Sequence, residues 1–177
     1  MILFFGPAGS GKSVQAQLLV DKNGWQWLST GQLFRETTDP EIHAMMERGV
    51  LVPTDKTNQI LDLALSKSRQ VEGRLILDGY PRDIEQTQWL IDDCKKYGIT
   101  IKKAINFEVP LEELIKRMEL RGRKDDNPEA IKERLAIYHR EIDPILELLS
   151  VEGVDIQHID GTGTPNEIHL RVEEKLI

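Results

Sequence analysis

Residues Gly6-Pro7-Ala8-Gly9-Ser10-Gly11-Lys12-Ser13 follow directly on the apolar run Ile2–Phe5 and lead into a stretch of helical character. No other feature of the chain restricts its fold as much. A short apolar run ended by glycine is a candidate buried strand. The pattern G-x-x-x-x-G-K-S/T then requires a strand, a tight loop and a helix N-terminus in that order. Glycines let successive backbone N–H groups turn inward around one point, and the helix N-terminus adds positive partial charge behind them. The result is a cradle for phosphate. Lys12 is placed to reach the β- and γ-phosphates of a nucleotide, and Ser13 to set its hydroxyl on Mg²⁺.

The rest of the chain alternates short apolar runs with longer amphipathic ones. Strands are expected at Ile2–Phe5, Trp25–Leu28, Leu75–Leu77, Lys103–Val109 and Val154–Ile159. Between them lie helical patterns. Gly11 to about Lys22 carries Val14, Leu18 and Leu19 on one side. Thr30 can cap a helix beginning at Gly31. Glu41–Arg48 is closed by Gly49. Thr54–Gln70 and Asp83–Tyr97 follow, the second stopping at Gly98. Pro110 opens a helix with Glu112 and Glu113 in its first turn, where the dipole favours acids. Asn127-Pro128-Glu129 opens another, expected to be disturbed at Pro144. Thr164-Pro165-Asn166-Glu167 is a capping box that starts a C-terminal helix. The fold class expected is α/β: a P-loop NTPase three-layer fold, 1–177 as one domain, with a five-stranded mainly parallel sheet flanked by helices.

Asp78, at the end of the Leu75–Leu77 run, is the second candidate metal residue with Ser13, because parallel sheets bind ligands at the carboxyl ends of their strands. The net charge of −7 argues against general nucleic-acid binding, which needs a basic footprint. No apolar run is long enough for a membrane span. A single cysteine, Cys94, excludes an internal disulfide or a Cys₄ zinc site and suits a reducing, cytoplasmic setting; it reads as a partly buried thiol without function. Within this acidic chain Arg117, Arg121, Arg123 and Arg134 fall close together, as a local site for a small polyanion would require.

Further motifs narrow the class. Asp78-Gly79-Tyr80-Pro81-Arg82 followed by Gln86 resembles the D-G-F/Y-P-R…Q signature of adenylate kinases. Ser29-Thr30-Gly31-Gln32-Leu33-Phe34-Arg35 resembles that family's S-T-G-D-x-x-R segment, and Gly49–Pro53 its G-x-L/I-V-P/T segment. Arg123–Asp126 resembles R-x-D-D, and Arg134–Tyr138 resembles R-L-x-x-Y. The resemblance implies a nucleoside monophosphate kinase that moves a phosphoryl group reversibly from ATP to AMP, giving two ADP, with Mg²⁺ as cofactor. It implies ATP contacts along Gly6, Pro7, Ala8, Gly9, Ser10, Gly11, Lys12, Ser13 and Val14, at Arg117 stacked on the base, and at the backbone of Gly161, Thr162 and Gly163. For AMP it implies Thr30, Gly31, Arg35, Val50, Leu51, Val52, Gly79, Arg82 and Gln86. Lys12, Arg82, Arg121, Arg123 and Arg134 would be the catalytic cations. Residues 30–59 would be a helical insert for the monophosphate.

Arginine suits these roles physically: Arg117 and Arg121, at i and i+4, share a helix face, and cationic forks stabilise charge spread over a transferring phosphoryl group. No histidine base is needed, since the attacking group is a phosphate oxygen, so His43, His139, His158 and His169 read as structural or surface residues. The chain departs from many family members in having only 121–127 where a lid usually stands. Closure by the insert, or cover from a second subunit, is the expectation that follows; the oligomeric state stays open. The nearest alternative is a UMP/CMP or broad-specificity kinase, against which Gln86 favours adenine. A P-loop switch would need an N-K-x-D-type base-reading segment, which the chain lacks.

Overall fold

The computed structural model describes residues 1–68, 74–122 and 127–176. Five parallel strands form one sheet in the order β2-β3-β1-β4-β5. They are β1 (Ile2–Phe5), β2 (Gln26–Ser29), β3 (Leu75–Asp78), β4 (Lys103–Glu108) and β5 (Asp155–Asp160). The helices are α1 (Lys12–Asn23), α2 (Thr30–Glu36), α3 (Pro40–Arg48), α4 (Thr54–Lys67), α5 (Ile84–Cys94), α6 (Leu111–Arg121), α7 (Pro128–Val151) and α8 (Pro165–Leu176), with a 3₁₀ turn at Lys95–Tyr97. Every described strand pairing is parallel, with Phe4 opposite both Asp78 and Ile105.

Side-chain alternation along β1 builds the three layers. Leu3 and Phe5 join Leu75, Leu77, Leu61, Leu65, Leu90 and Ile145 on the α4, α5 and α7 side. Ile2 and Phe4 join Ile76, Ile105, Phe107, Ala16, Leu19, Ile168 and Val172 on the α1 and α8 side. Strands buried on both faces read as unbroken apolar runs, which is why Ile2–Phe5 and Leu75–Leu77 stand out in the sequence. The chain order places β1 at the centre with β3 and β4 on either side, so the loop after β1 opens at the crevice where the topology switches direction. Helices α2 to α4 enclose a small core of their own, Phe34, Ile42 and Val52.

Several expectations shift. Ser29, not Thr30, caps α2: its Oγ accepts from Gln32 N at 3.4 Å. Thr30 is thereby free to donate from Oγ1 to Gly79 O at 2.8 Å, tying α2 to the loop after β3. Val14 is 49% exposed; the buried stripe of α1 is Gln15, Ala16 and Leu19. Gln15 faces inward because both ends of its amide are used, Nε2 on Pro165 O and Oε1 against His169 Nδ1. Helix α7 runs through Pro144 without a break. Pro144 is exposed, so the carbonyl its missing N–H leaves unpaired can turn to water, while buried Ile142, Ile145, Leu146 and Leu149 pin the helix on either side. The expected helix at Asp83–Tyr97 tightens into the 3₁₀ turn before Gly98. Residues 69–70, expected at the end of α4, lie outside the described residues; α4 ends at Lys67. The capping box forms as expected: Glu167 Oε2 accepts from Thr164 N at 2.7 Å, and Glu167 N donates to Thr164 Oγ1 at 3.4 Å. Cys94 is buried rather than partly buried, and burial pushes its thiol up to about 12. Among the described residues no helix is long and apolar enough to cross a membrane.

Candidate active site

The C-terminal ends of β1 and β3 meet the phosphate loop at one crevice. Gly6 (φ 145°), Gly9 (85°) and Gly11 (94°) take conformations that side chains rarely adopt. Gly6 also has no room: a Cβ there would lie 2.6 Å from Ser10 Oγ and 3.0 Å from Phe107 Cβ. Lys12, the first residue of α1, curls over the loop and donates from Nζ to Gly6 O (2.7 Å), Pro7 O (3.0 Å) and Ser10 Oγ (3.3 Å). Enclosure of this ammonium lowers its pKa to about 8; Asp78 works against the shift, and Arg82 and Arg121 add to it.

Ser13 donates from Oγ to Asp78 Oδ2 at 2.9 Å. Asp78 is 3% exposed at the end of β3. A hydroxyl and a buried carboxylate side by side make a hard oxygen pair suited to Mg²⁺. Among the described residues no cluster of three or more His, Cys, Asp or Glu could hold a metal by itself. The pair therefore fits an ion that arrives with phosphates and water rather than a resident protein cage.

The loop after β3 leads into α5. Arg82 Nε donates to Gly79 O at 2.8 Å, and Arg82 N donates to Gln86 Oε1 at 2.9 Å. Asp83 caps α5 through Gln86 N at 2.8 Å, which sets Gln86 on the first turn with its side chain bent back to the loop. Tyr80 Oη donates to Asn58 Oδ1 on α4 at 2.6 Å. Burial lowers the Arg82 pKa from its usual range, with Arg134 and Arg35 adding to the shift and Asp78 opposing it, so three guanidiniums sense one another across this crevice.

One open cavity of about 190 Å³ is lined by Gly6, Pro7, Ala8, Lys12 and Ser13 on the loop, by Gly31, Arg35, Val50, Leu51 and Val52 on the insert side, and by Asp78, Gly79, Arg82, Arg121 and Arg134. A side cavity of about 10 Å³ is lined by Thr30, Leu51, Val52, Gly79, Arg82 and Gln86. It is no larger than about one water. Gly9, Ser10, Gly11, Val14, Arg117, Gly161, Thr162 and Gly163 do not line either cavity. Arg117 Nη1 donates to Gly161 O at 3.0 Å and its Nε pairs with Glu113 at 2.8 Å. Arg123 lies outside the described residues.

Sequence reasoning gave no site role to Tyr80, Pro81, Ile137, Tyr138, Glu141, Ile142 and Ile145, which also line the large cavity. The last five stand at helical spacing on α7, a visible signal, but periodicity says that a face is covered, not that it faces a site. None of the four histidines lines either cavity; His169 is 1% exposed and bonded to Gln15, and His43 contacts Phe34 O.

A sequence model of the adenylate kinase family matches residues 4–154, from β1 through α7 and the turn beyond it. The chain belongs to the adenylate kinase family. An adenylate kinase of Mycobacterium ulcerans is 36% identical over 181 aligned positions, 99% of this chain and 98% of that protein. One from Mycobacteroides abscessus is 38% identical over 181 positions, at the same coverage. One from Thermus thermophilus is 35% identical over 185 positions, 99% of this chain and 96% of its own length. These alignments are only a few positions longer than the chain and cover nearly all of each relative, so the relatives are of similar length. Family membership makes the protein a nucleoside monophosphate kinase, a phosphotransferase.

Proposed function

We propose that this kinase transfers the γ-phosphoryl of ATP to AMP reversibly, with Mg²⁺. The observation that carries the proposal is the convergence of Lys12, Arg35, Arg82, Arg121 and Arg134 on one cavity between the phosphate loop and the insert. Two polyanions facing each other need such a cluster, and a nucleotide switch does not. ATP phosphates would lie on the amides of Gly6–Ser13, with Arg117 and the turn at Gly161–Gly163 on the base side. AMP would enter under residues 30–59, its phosphate on Arg35 and Arg82. Residues 121–127 would serve as a minimal lid. Ser13 and Asp78 would hold the magnesium ion with water and phosphate oxygens; bound there, it would neutralise charge on the phosphates. Arg82 and Arg134 would orient the acceptor phosphate, whose second pKa of about 6 leaves it ionised at neutral pH without a protein base.

The choice of AMP draws support from Gln86. Its Oε1 already accepts from Arg82 N, so the amide has its N–H₂ left to offer. A donor suits adenine, whose N1 accepts, and opposes guanine and uracil, which carry a proton at the corresponding edge. Cytosine also presents an acceptor, which makes CMP the second reading. Initial rates of ADP formation with AMP, CMP, GMP and UMP test this: AMP is expected to lead, CMP to follow, and the other two to trail. A protein that phosphorylated none of the four would refute the assignment.

Lys12 gives a pH signature. Its free-state pKa near 8 lies below the ordinary 10.5, and a bound phosphate would raise it again. ATP affinity should therefore be fully present below about pH 8. It should fall by about tenfold per unit as pH rises from there toward the bound-state pKa. Titration calorimetry in buffers of different ionisation enthalpy should show proton uptake on ATP binding at pH 9 and much less at pH 7. Tyr80 and Cys94 do not confuse the readout, because burial raises both out of this window.

A further inference from the structure

The C-terminal end of α3 sits on the N-terminal turns of α7. Three contacts make this junction. Asn127 Nδ2 donates to Glu47 O at 2.9 Å. Arg134 Nη2 donates to Met46 O at 2.9 Å. Gly49 abuts Ala130 so closely that a Cβ at position 49 would lie 2.6 Å from Ala130 O and 2.7 Å from Ala130 Cα. A helix C-terminus with its unpaired carbonyls thus meets a helix N-terminus, an attractive pairing of opposite partial charges.

Asn127 does two jobs with one amide. Its Oδ1 accepts from Ala130 N at 2.8 Å and caps α7, while its Nδ2 reaches across to α3. The Glu47 carbonyl belongs to the last turn of α3, where the helix supplies no N–H for it; Gly49 and Val50 bond instead to Met46 O and Met45 O. The residues that follow, Val50, Leu51 and Val52, line the large cavity. Whatever fixes Gly49 against Ala130 therefore fixes the insert wall of the acceptor site.

We propose that Asn127 is a positioning residue that holds the insert closed on α7 through the Glu47 carbonyl, and so sets the affinity for the acceptor nucleotide. It touches neither cavity. It acts by biasing the population in which Val50–Val52 stand over the acceptor. In this chain the bridge spans directly from insert to α7, which gives closure a fixed stop without an extended lid. The proposal rests on the acceptor-site reading given above.

Asn127→Asp separates the two jobs. Aspartate is as good an N-cap as asparagine, so α7 keeps its cap, but the donor to Glu47 O is lost and a carboxylate faces carbonyl oxygens. A lower closed population raises the apparent dissociation constant in proportion and leaves the bound complex unchanged. N127D is expected to raise KM for AMP by about three- to tenfold, the worth of one hydrogen bond, with kcat and KM for ATP within about twofold of the parent and an unchanged melting temperature. N127S, which keeps a cap but cannot span the gap, should behave alike; N127A should show the same KM change plus a lower melting temperature. A direct measure is the distance between spin labels at R48C and E133C, both exposed positions on the two helices; the buried Cys94 escapes labelling. N127D should lengthen or broaden that distance.

Parent-like KM for AMP and parent-like label distances in N127D would overturn the proposal. So would a change confined to N127A, which would mean that Asn127 only caps α7, and so would an equal rise in both Michaelis constants. If the parent itself transferred no phosphoryl group to AMP, the acceptor-site reading would fall, while the label distances would still test the bridge.

Discussion

Replacing Lys12 with alanine is expected to cut turnover by about 10²- to 10³-fold without harming the fold. Nζ is the one ammonium in the phosphate loop, and it stands over the loop through contacts to Gly6 O, Pro7 O and Ser10 Oγ. As a phosphoryl group leaves ATP, charge grows on the oxygens that this cation would touch, and the alanine variant offers nothing in its place. Stability should move the other way. The folded-state pKa near 8 means that the neighbourhood disfavours the charged form, through enclosure first and then Arg82 and Arg121. Below pH 8 the ammonium is charged in folded and unfolded chains alike, so its cost is fully present there and disappears when the group is removed. Thermal unfolding at pH 7 should therefore show a melting temperature equal to or above that of the parent, while a coupled ADP-formation assay shows the loss of rate. A collapse of the melting temperature would mean that the lysine contacts hold the loop in place.

Arg82→Ala is expected to lower kcat/KM for AMP by about 10²- to 10³-fold while changing ATP binding only a few-fold. The guanidinium is half-buried in exposure, held by Nε to Gly79 O, and it shares its crevice with Arg35 and Arg134. Three like charges converging in a partly desolvated site repel one another, and a phosphate dianion relieves that repulsion while accepting the fork of Arg82. The phosphate loop keeps all its amides and Lys12. Arg82→Lys should recover only part of the activity, since it restores charge but not the planar pair of donors. Calorimetric titrations with AMP and with ATP separate the two effects. An Arg82→Ala protein with parent-like rates at low AMP would move the acceptor site elsewhere.

Much of the site was legible from local patterns. The phosphate loop, Asp78 at the end of β3 and the D-G-Y-P-R run all lie on or just after strands whose apolar runs are unmistakable, and each obeys rules that act within about ten residues. The glycines at 6, 9 and 11 announce backbone angles that the structure then displays. Other features depended on partners distant in sequence. The resemblance implied Gln86 as a contact of the AMP base, and the loop takes its carbonyl for Arg82 N. Thr30 looked like a cap, yet Ser29 does that work and Thr30 turns to Gly79. Pro144 was expected to disturb its helix, yet its exposure lets α7 continue.

Alone, then, the sequence determined the phosphate cradle, the parallel three-layer frame and the order of its elements, because those follow from backbone freedom, apolar period and capping chemistry, all short-range. Tertiary structure alone decided which faces meet: the α7 wall of Ile137, Tyr138 and Ile145 around the cavity, the arginines of four separate elements drawn together, and the end of α3 resting on Ala130 and Asn127. Periodicity records that a surface will be covered, whereas its partner is chosen only when the whole chain packs, by shape and charge across 80 or more positions such as those between Asn127 and Glu47.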